Sequence, residues 1–188
     1  MSKVTTITAA LQRWEAREGI PLAEAKEVQL QYQFPPVQKM TLDLEVLENV
    51  EKLSLSTNQI DRIILSPKME HLKILALGRN SIKTFVGIEV VANSLEELWV
   101  SYNLIDKMKG LETMKKLRVL YMAHNQCREW AEYSKLSVLR NSLEDLIFLG
   151  NPIADKEEGG YTVEAIRRLP FLKKLDGEPI TGLETSEA

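Results

Sequence analysis

Leu95-Glu96-Glu97-Leu98-Trp99-Val100-Ser101-Tyr102-Asn103-Leu104-Ile105 carries a spacing that returns along most of the chain. Its fixed positions are Leu95, Leu98, Val100, Asn103 and Ile105, in the frame L-x-x-L-x-L-x-x-N-x-I. The frame recurs as Val50, Leu53, Leu55, Asn58, Ile60 and as Leu72, Leu75, Leu77, Asn80, Ile82. It returns again as Leu117, Leu120, Met122, Asn125, Cys127 and as Leu143, Leu146, Phe148, Asn151, Ile153. The five asparagines stand 22, 23, 22 and 26 residues apart, so the frame repeats in register. In each L-x-L the two aliphatics point one way and the residue between them the other, as in a short strand. Strands separated by a return segment of this length must lie parallel.

Such a repeat is the leucine-rich repeat signature in its short form. The expected fold is α/β: a leucine-rich repeat solenoid with a parallel β-sheet on the concave face and helical or 3-10 return segments on the convex face. An N-terminal helix and a C-terminal cap close the ends, because a single repeat cannot bury its own apolar side. Asn58, Asn80, Asn103, Asn125 and Asn151 then form a structural ladder. Their amides can both donate and accept, as backbone groups of adjacent turns require, and an unpaired buried amide would cost about 1–3 kcal/mol.

Residues 1–188 hold no linker rich in Gly, Pro or Ser, so a single domain is expected. It divides into an N-terminal helix (5–18), repeats (28–153), a cap (154–177) and a mobile polar tail (178–188). Residues 5–18 place Ile7, Ala10, Leu11 and Trp14 on one helical face, with Thr5 or Thr6 as cap and Gly19 and Pro21 at the end. Trp14 is read as covering the open end of the first repeat. Val28 and Leu30 make a degenerate first strand, with Gln33 near the expected asparagine. Pro35 and Pro36 force an extended connection, and Val37, Met40, Leu44 and Leu47 lead back to the core. Gly87 and Gly110 fall at equivalent turns. Trp130, Tyr133, Leu136 and Leu139 imply an α-helix after the fourth asparagine, residues 161–168 another, and residues 171–177 the last strand.

A net charge of −3, from 24 basic and 27 acidic side chains, lacks the basic excess of a nucleic-acid binder. No secretory leader and no apolar run near about 18 residues is present, so neither export nor membrane insertion is expected. The single cysteine, Cys127, fills an aliphatic slot and reads as a buried, inert thiol in a reducing, intracellular compartment. His71 and His124 stand in different repeats without a matched carboxylate or thiol, and no phosphate-binding glycine motif or metal-ligand cluster occurs. No cofactor, metal or catalytic role is expected. Lys115, Lys116, Arg118, Arg167, Arg168, Lys173 and Lys174 read as solvated clusters.

Function is sought where the repeat leaves the residue free. The variable strand positions build an apolar, aromatic field of Ile74, Ala76, Trp99, Val119, Tyr121, Ala123, Ile147 and Leu149. Lys52, Ser54, Arg79, Glu97, His124 and Asp145 edge it. A contiguous patch with a polar rim marks a protein interface, and Trp and Tyr are the residues enriched among its anchors.

Beyond the frame, an ordered set of segments resembles the outer-arm dynein light chain 1 family of ciliary axonemes. The set runs through Thr5-Thr6-Ile7, Arg13-Trp14-Glu15, Pro35-Pro36, Lys39-Met40, the stretch from Glu51 to Asn58, and Leu77-Gly78-Arg79-Asn80. It continues with Lys115-Lys116-Leu117, Trp130-Ala131-Glu132-Tyr133, Leu143-Glu144-Asp145-Leu146, Gly150-Asn151-Pro152 and the stretch from Leu172 to Gly177. The resemblance implies a non-enzymatic light chain, monomeric in isolation. It would bind the microtubule-binding domain at the end of a dynein heavy-chain stalk and tune the motor's grip on the axonemal microtubule. Tubulin itself is a second implied contact, and the implied location is the cytoplasm, cytoskeleton and axoneme of the cilium or flagellum. The docking residues so implied are Trp99, Tyr121 and Ile147 as anchors, with Ala76, Tyr102, Arg79, Leu149, Ser54 and His124 around them. Two other classes share the frame: a regulatory subunit of a protein phosphatase and a ribonucleoprotein adaptor.

Overall fold

The computed structural model, which describes residues 4–156 and 159–181, lays the L-x-L triplets side by side as strands of one sheet. The strands are β1 (Glu27–Gln29), β2 (Lys52–Ser54), β3 (Ile74–Ala76), β4 (Glu97–Trp99), β5 (Val119–Tyr121), β6 (Asp145–Ile147), β7 (Lys174–Leu175) and β8 (Glu178–Pro179). They follow one another across the sheet in chain order, parallel from β1 to β7, with β8 antiparallel to β7. In register, Val28, Leu53, Leu75, Leu98, Leu120, Leu146 and Leu175 make one inward row. Every member is buried, and Leu55, Leu77, Val100, Met122 and Phe148 form a second sealed row behind it. Each such side chain contributes about 1.5–3 kcal/mol through burial, but only because its neighbours in the stack supply the opposite wall.

The asparagines bind one repeat to the next. Each Oδ1 accepts the backbone N–H of Val37, Ile60, Ile82, Ile105 or Cys127 at 2.9–3.1 Å. Each Nδ2 donates at 2.7–3.1 Å to a carbonyl of its own repeat and to the equivalent carbonyl one repeat earlier. A group that both donates and accepts is therefore required, as the amide chemistry implies. Asp176 ends the ladder differently. Its Oδ1 accepts the N–H groups of Phe148 (2.6 Å) and Leu149 (2.9 Å), and its Oδ2 accepts the Tyr161 hydroxyl at 3.0 Å. Only acceptors are needed there, and a carboxylate provides them.

Gly87 and Gly110 sit at φ 103° and 110°, a region that L side chains rarely adopt. A Cβ on Gly110 would lie 2.8 Å from the Phe85 carbonyl carbon, and one on Gly87 would strike the Ile63 carbonyl. These turns bring successive return segments into backbone contact.

Helix α1 (Ile7–Glu18) buries Ile7, Ala10, Leu11 and Trp14 over the first repeat. At the other end α2 (Trp130–Ser134), α3 (Pro152–Lys156) and α4 (Tyr161–Arg168) form the cap. Tyr133 is fully buried, donates to the Ala165 carbonyl at 3.3 Å, and meets Phe148 edge-on at 4.9 Å. Arg168 lies 5.0 Å over the Trp130 ring.

Several expectations change. The leading helix starts at Ile7 rather than residue 5: Thr6 is the N-cap, accepting the Ala9 N–H at 3.1 Å, while Thr5 is extended and bridges Val37. The segment expected as one helix from Trp130 to Leu139 changes at Lys135 into a 3-10 helix, Lys135–Leu139. Tyr133, Leu136 and Leu139 are three apart, which is the 3-10 period rather than the α period. Gln33 does follow a left-handed residue, Tyr32, as the asparagines follow theirs, yet its amide reaches only the Gln31 carbonyl at 3.5 Å. The first rung belongs to Asn58. The tail expected to be mobile from residue 178 begins with β8, and the N–H of Ile180, just beyond that strand, donates to the Lys173 carbonyl at 2.8 Å. Residues 182–188 of that tail lie outside the described residues.

Candidate functional site

The side of the sheet opposite the leucine rows carries the variable residues. Strand register sets Ser54, Ala76, Trp99, Tyr121 and Ile147 in one line across it. The line beside it runs Lys52, Ile74, Glu97, Val119, Asp145 and Lys174. Trp99 and Tyr121 stack with ring centroids 6.2 Å apart and planes 17° from parallel, and Lys52 Nζ stands 6.0 Å from the indole centroid. Trp99, Tyr121 and Ile147 are each half-buried, held by neighbours yet open to solvent. Ala76 differs from expectation: at 4% exposure it is walled in by its larger row-mates and offers almost no contact area of its own. Val119 and Ala123 are also buried, at 5% and 6%.

A second feature follows from the turns after the strands. Thr57, Arg79, Tyr102 and His124 all have φ between 52° and 59°, and each donates its N–H to the next repeat. The left-handed turn throws these side chains to one rim of the sheet, one per repeat. Since neighbouring strands lie about 4.7–4.9 Å apart, planar groups in this column must stack. The Arg79 guanidinium lies 4.3 Å over the Tyr102 ring, and Tyr102 stacks on His124 at 4.5 Å and 16°. Next in the column comes Gly150, where a Cβ would run into the His124 imidazole. Arg79, Tyr102, His124 and the adjacent Leu149 are exposed, with Tyr102 at 45% and Leu149 at 41%.

The charges on the face are mostly neutralised in pairs. Lys52 meets Glu27 at 3.0 Å, and Arg118 meets Glu97 at 3.1 Å. Asp145 accepts the Tyr121 hydroxyl at 3.3 Å through Oδ2. Burial first, and the Asp145 charge second, push the Tyr121 phenol above its ordinary range, so it stays a neutral donor.

The structure thus brings Trp99, Tyr121, Ile147 and Ser54 onto one face and sets Arg79, Tyr102 and His124 along its rim, with Leu149 adjacent. Sequence reading placed Arg118 among solvated basic clusters, whereas it neutralises Glu97 on this face. The stacked rim was also unrecognised there, although its signal was present: the residue before the asparagine is planar in three consecutive repeats. His71 is exposed on a return turn, remote in the repeat from the sheet positions. Among the described residues no three His, Cys, Asp or Glu side chains gather, and no helix is long and apolar enough to cross a membrane. What the face offers is a stiff, half-apolar wall with a polar rim, suited to holding another polypeptide.

No protein-family model matches the chain. Full-length relatives do. It is 53% identical over 189 residues to dynein axonemal light chain 1 of Xenopus laevis, covering 100% of this chain and 98% of the relative. The Homo sapiens protein of that name is 51% identical over 182 residues, covering 96% and 95%. The Chlamydomonas reinhardtii protein is 44% identical over 193 residues, covering 100% and 97%. Among solved structures, a leucine-rich repeat protein of Leptospira interrogans superposes with a TM-score of 0.63 at 26% identity over 81% of this chain. The chain spans 37% of that bacterial protein. An internalin of Listeria monocytogenes, at a TM-score of 0.53, 20% identity and 82% of this chain, shares the fold alone; the chain spans 48% of it.

Proposed function

This chain belongs to the axonemal dynein light chain 1 family and is a non-catalytic protein, and from that premise we propose that it is a light chain of ciliary outer-arm dynein. It docks through the concave face of its sheet on the microtubule-binding domain that ends a heavy-chain stalk, and it tunes how the motor engages the axonemal microtubule. The observation that carries this reading is the stacked Trp99–Tyr121 pair, half open to solvent on a rigidly backed face and edged by charge. Aromatic side chains so placed are the usual energetic anchors of a protein interface. Ile147, Tyr102, Leu149 and Ser54 extend the contact, with Arg79 and His124 at the rim.

The tuning is mechanical and electrostatic. A stiff solenoid on the stalk tip is a wedge that changes the approach to the acidic tubulin surface. A body of net charge −3 repels that surface, whereas the basic C-terminal segment adds an attraction if turned toward it, chiefly through Lys174, since Arg167 and Arg168 pair with Glu164 and Lys173 with Glu144. The seating on the stalk sets the sign.

Microtubule co-sedimentation of the stalk-tip domain, with and without this protein, tests the role. A changed affinity that Trp99→Ala abolishes supports it; the same affinity in both conditions rejects the tuning role.

A further inference from the structure

The ion pairs of the docking face leave Arg79, Asp145 and the exposed Lys174 over. Lys52 and Glu27, and Arg118 and Glu97, neutralise one another. Neither Arg79 nor Asp145 has an ion-pair partner among the described residues. Lys174 is the register neighbour of Asp145, yet no ion pair joins them. Of the three buried side-chain polar atoms that lack a hydrogen bond among the described residues, two, Trp99 Nε1 and Asp145 Oδ1, belong to this face. Unmet polar demand is therefore concentrated where the partner is read to dock.

Arg79 and Asp145, at opposite ends of the aromatic pair, differ in how they are presented. Asp145 is half-buried, its Oδ2 taking only the Tyr121 hydroxyl at 3.3 Å and its Oδ1 taking nothing. The buried Oδ1 is an acceptor that a donor on a partner would satisfy. Arg79 is exposed, with its guanidinium carbon 4.3 Å from the centre of the Tyr102 ring, which is itself backed by His124. The ring contact holds the guanidinium in place, and an arginine so held can grip a carboxylate with two bonds.

Arg79 lies in the turn beyond β3, while Asp145 begins β6, three strands away. The diagonal between them crosses Trp99 and Tyr121. With about 4.8 Å between strands and about 3.3 Å per residue along them, the two charges are separated by roughly 20 Å. A helix of about 13 residues spans that distance.

We propose that this face selects its partner by charge as well as by apolar contact: it takes a segment of the stalk tip that carries a carboxylate at one end, against Arg79, and a basic side chain at the other, against Asp145, with apolar residues between. The proposal rests on the docking reading above and adds the direction in which the bound segment runs. The Trp99–Tyr121 pair supplies contact area that works in either orientation; the oppositely signed ends permit only one, since like charges brought together would repel.

The test measures binding of a purified outer-arm stalk-tip domain by titration calorimetry at low and at physiological salt. Wild type, Asp145→Asn, Arg79→Gln and Trp99→Ala are compared, with Lys68→Gln on the return side as control. Thermal melts confirm that each variant is folded, and Asp145→Asn keeps an acceptor for Tyr121. Each face-charge variant should bind about tenfold or more weakly at low salt, with the deficit shrinking as salt rises, while Lys68→Gln binds as wild type. If both charge variants bind within twofold of wild type with an unchanged salt dependence while Trp99→Ala loses binding, charge selection is wrong and the docking reading stands. If wild type does not bind, or Trp99→Ala binds as wild type, the docking reading falls and takes this proposal with it.

Discussion

Replacing Asn103 with alanine isolates what the ladder contributes. Asn103 is 4% exposed, accepts the Ile82 N–H at 2.9 Å, and donates to the carbonyls of Leu77 (2.9 Å) and Val100 (3.0 Å). The two carbonyls are shared: Leu77 O keeps Asn80 Nδ2 at 3.0 Å, and Val100 O keeps Asn125 Nδ2 at 3.0 Å. The Ile82 N–H has no such reserve. Leaving it unpaired costs about 1–3 kcal/mol, and two lost bonds to carbonyls that retain one partner add the low end of about 0.5–1.5 kcal/mol each. The expected loss is therefore about 2–4 kcal/mol, at roughly 2–4 °C of melting temperature per kcal/mol for a chain of this size. Urea unfolding followed by far-ultraviolet circular dichroism reads it, with both arms of the transition fitted because repeat arrays can melt in parts. Asn103→Asp should be at least as damaging as alanine, since it restores the acceptor for Ile82 but turns a second oxygen toward two carbonyls. Asn80→Ala should cost less, because Asn80 is only half-buried and water can replace part of what is lost. A change below about 0.5 kcal/mol for Asn103→Ala, within the ordinary range for surface substitutions, would refute the ladder as a source of stability.

Gly110→Ala meets both a φ of 110° and the Phe85 backbone, so it should destabilise by more than about 1–2 kcal/mol and lower the melting temperature accordingly. Glu132 accepts the Met108 N–H at 3.1 Å and pairs with Lys135 at 2.6 Å, so Glu132→Ala should cost about 1.5–3 kcal/mol in urea titrations and Glu132→Gln less. The Lys135 hydrogen bond, followed by that from Met108 and opposed by burial, holds the Glu132 carboxyl below its ordinary 4.5. Its share of stability is therefore present above that value and lost as pH falls through the lowered one, a slope that Glu132→Gln should remove. Burial pushes the Cys127 thiol up from 9.0 to about 11. The unfolded chain thus gives up this proton first, and stability should fall as pH rises from 9 toward 11. Urea midpoints across that range should fall less steeply for Cys127→Val.

What could be read from the residues alone was whatever the repeat dictates five times over. The leucine rows, the asparagine bonds and the left-handed glycine turns follow because one geometry is imposed on each copy, and a side chain at a given slot meets the same neighbours. The ends were read less well, since nothing repeats there. Asp176 stands in for an asparagine only because Tyr161 and two amides converge on it, and β8 exists because β7 offers an open edge. Neither is a local property of the chain. The docking row was legible as a set of positions, yet its accessibility was not. Ala76 disappears between larger neighbours, and the isolation of Asp145 depends on Arg118 turning to Glu97 and on Lys174 forming no ion pair with it. The stack of Arg79, Tyr102 and His124 needed the turn conformation as well as the residues.

Hydroxyl-radical footprinting of this protein, free and saturated with a heavy-chain stalk-tip domain, tests the docking wall most directly. The wall described here predicts that Trp99, Tyr121 and Tyr102 become protected on binding while the exposed return-side residues Leu42 and Val86 react as before. Protection of Leu42 and Val86, with Trp99 and Tyr121 unchanged, would contradict it.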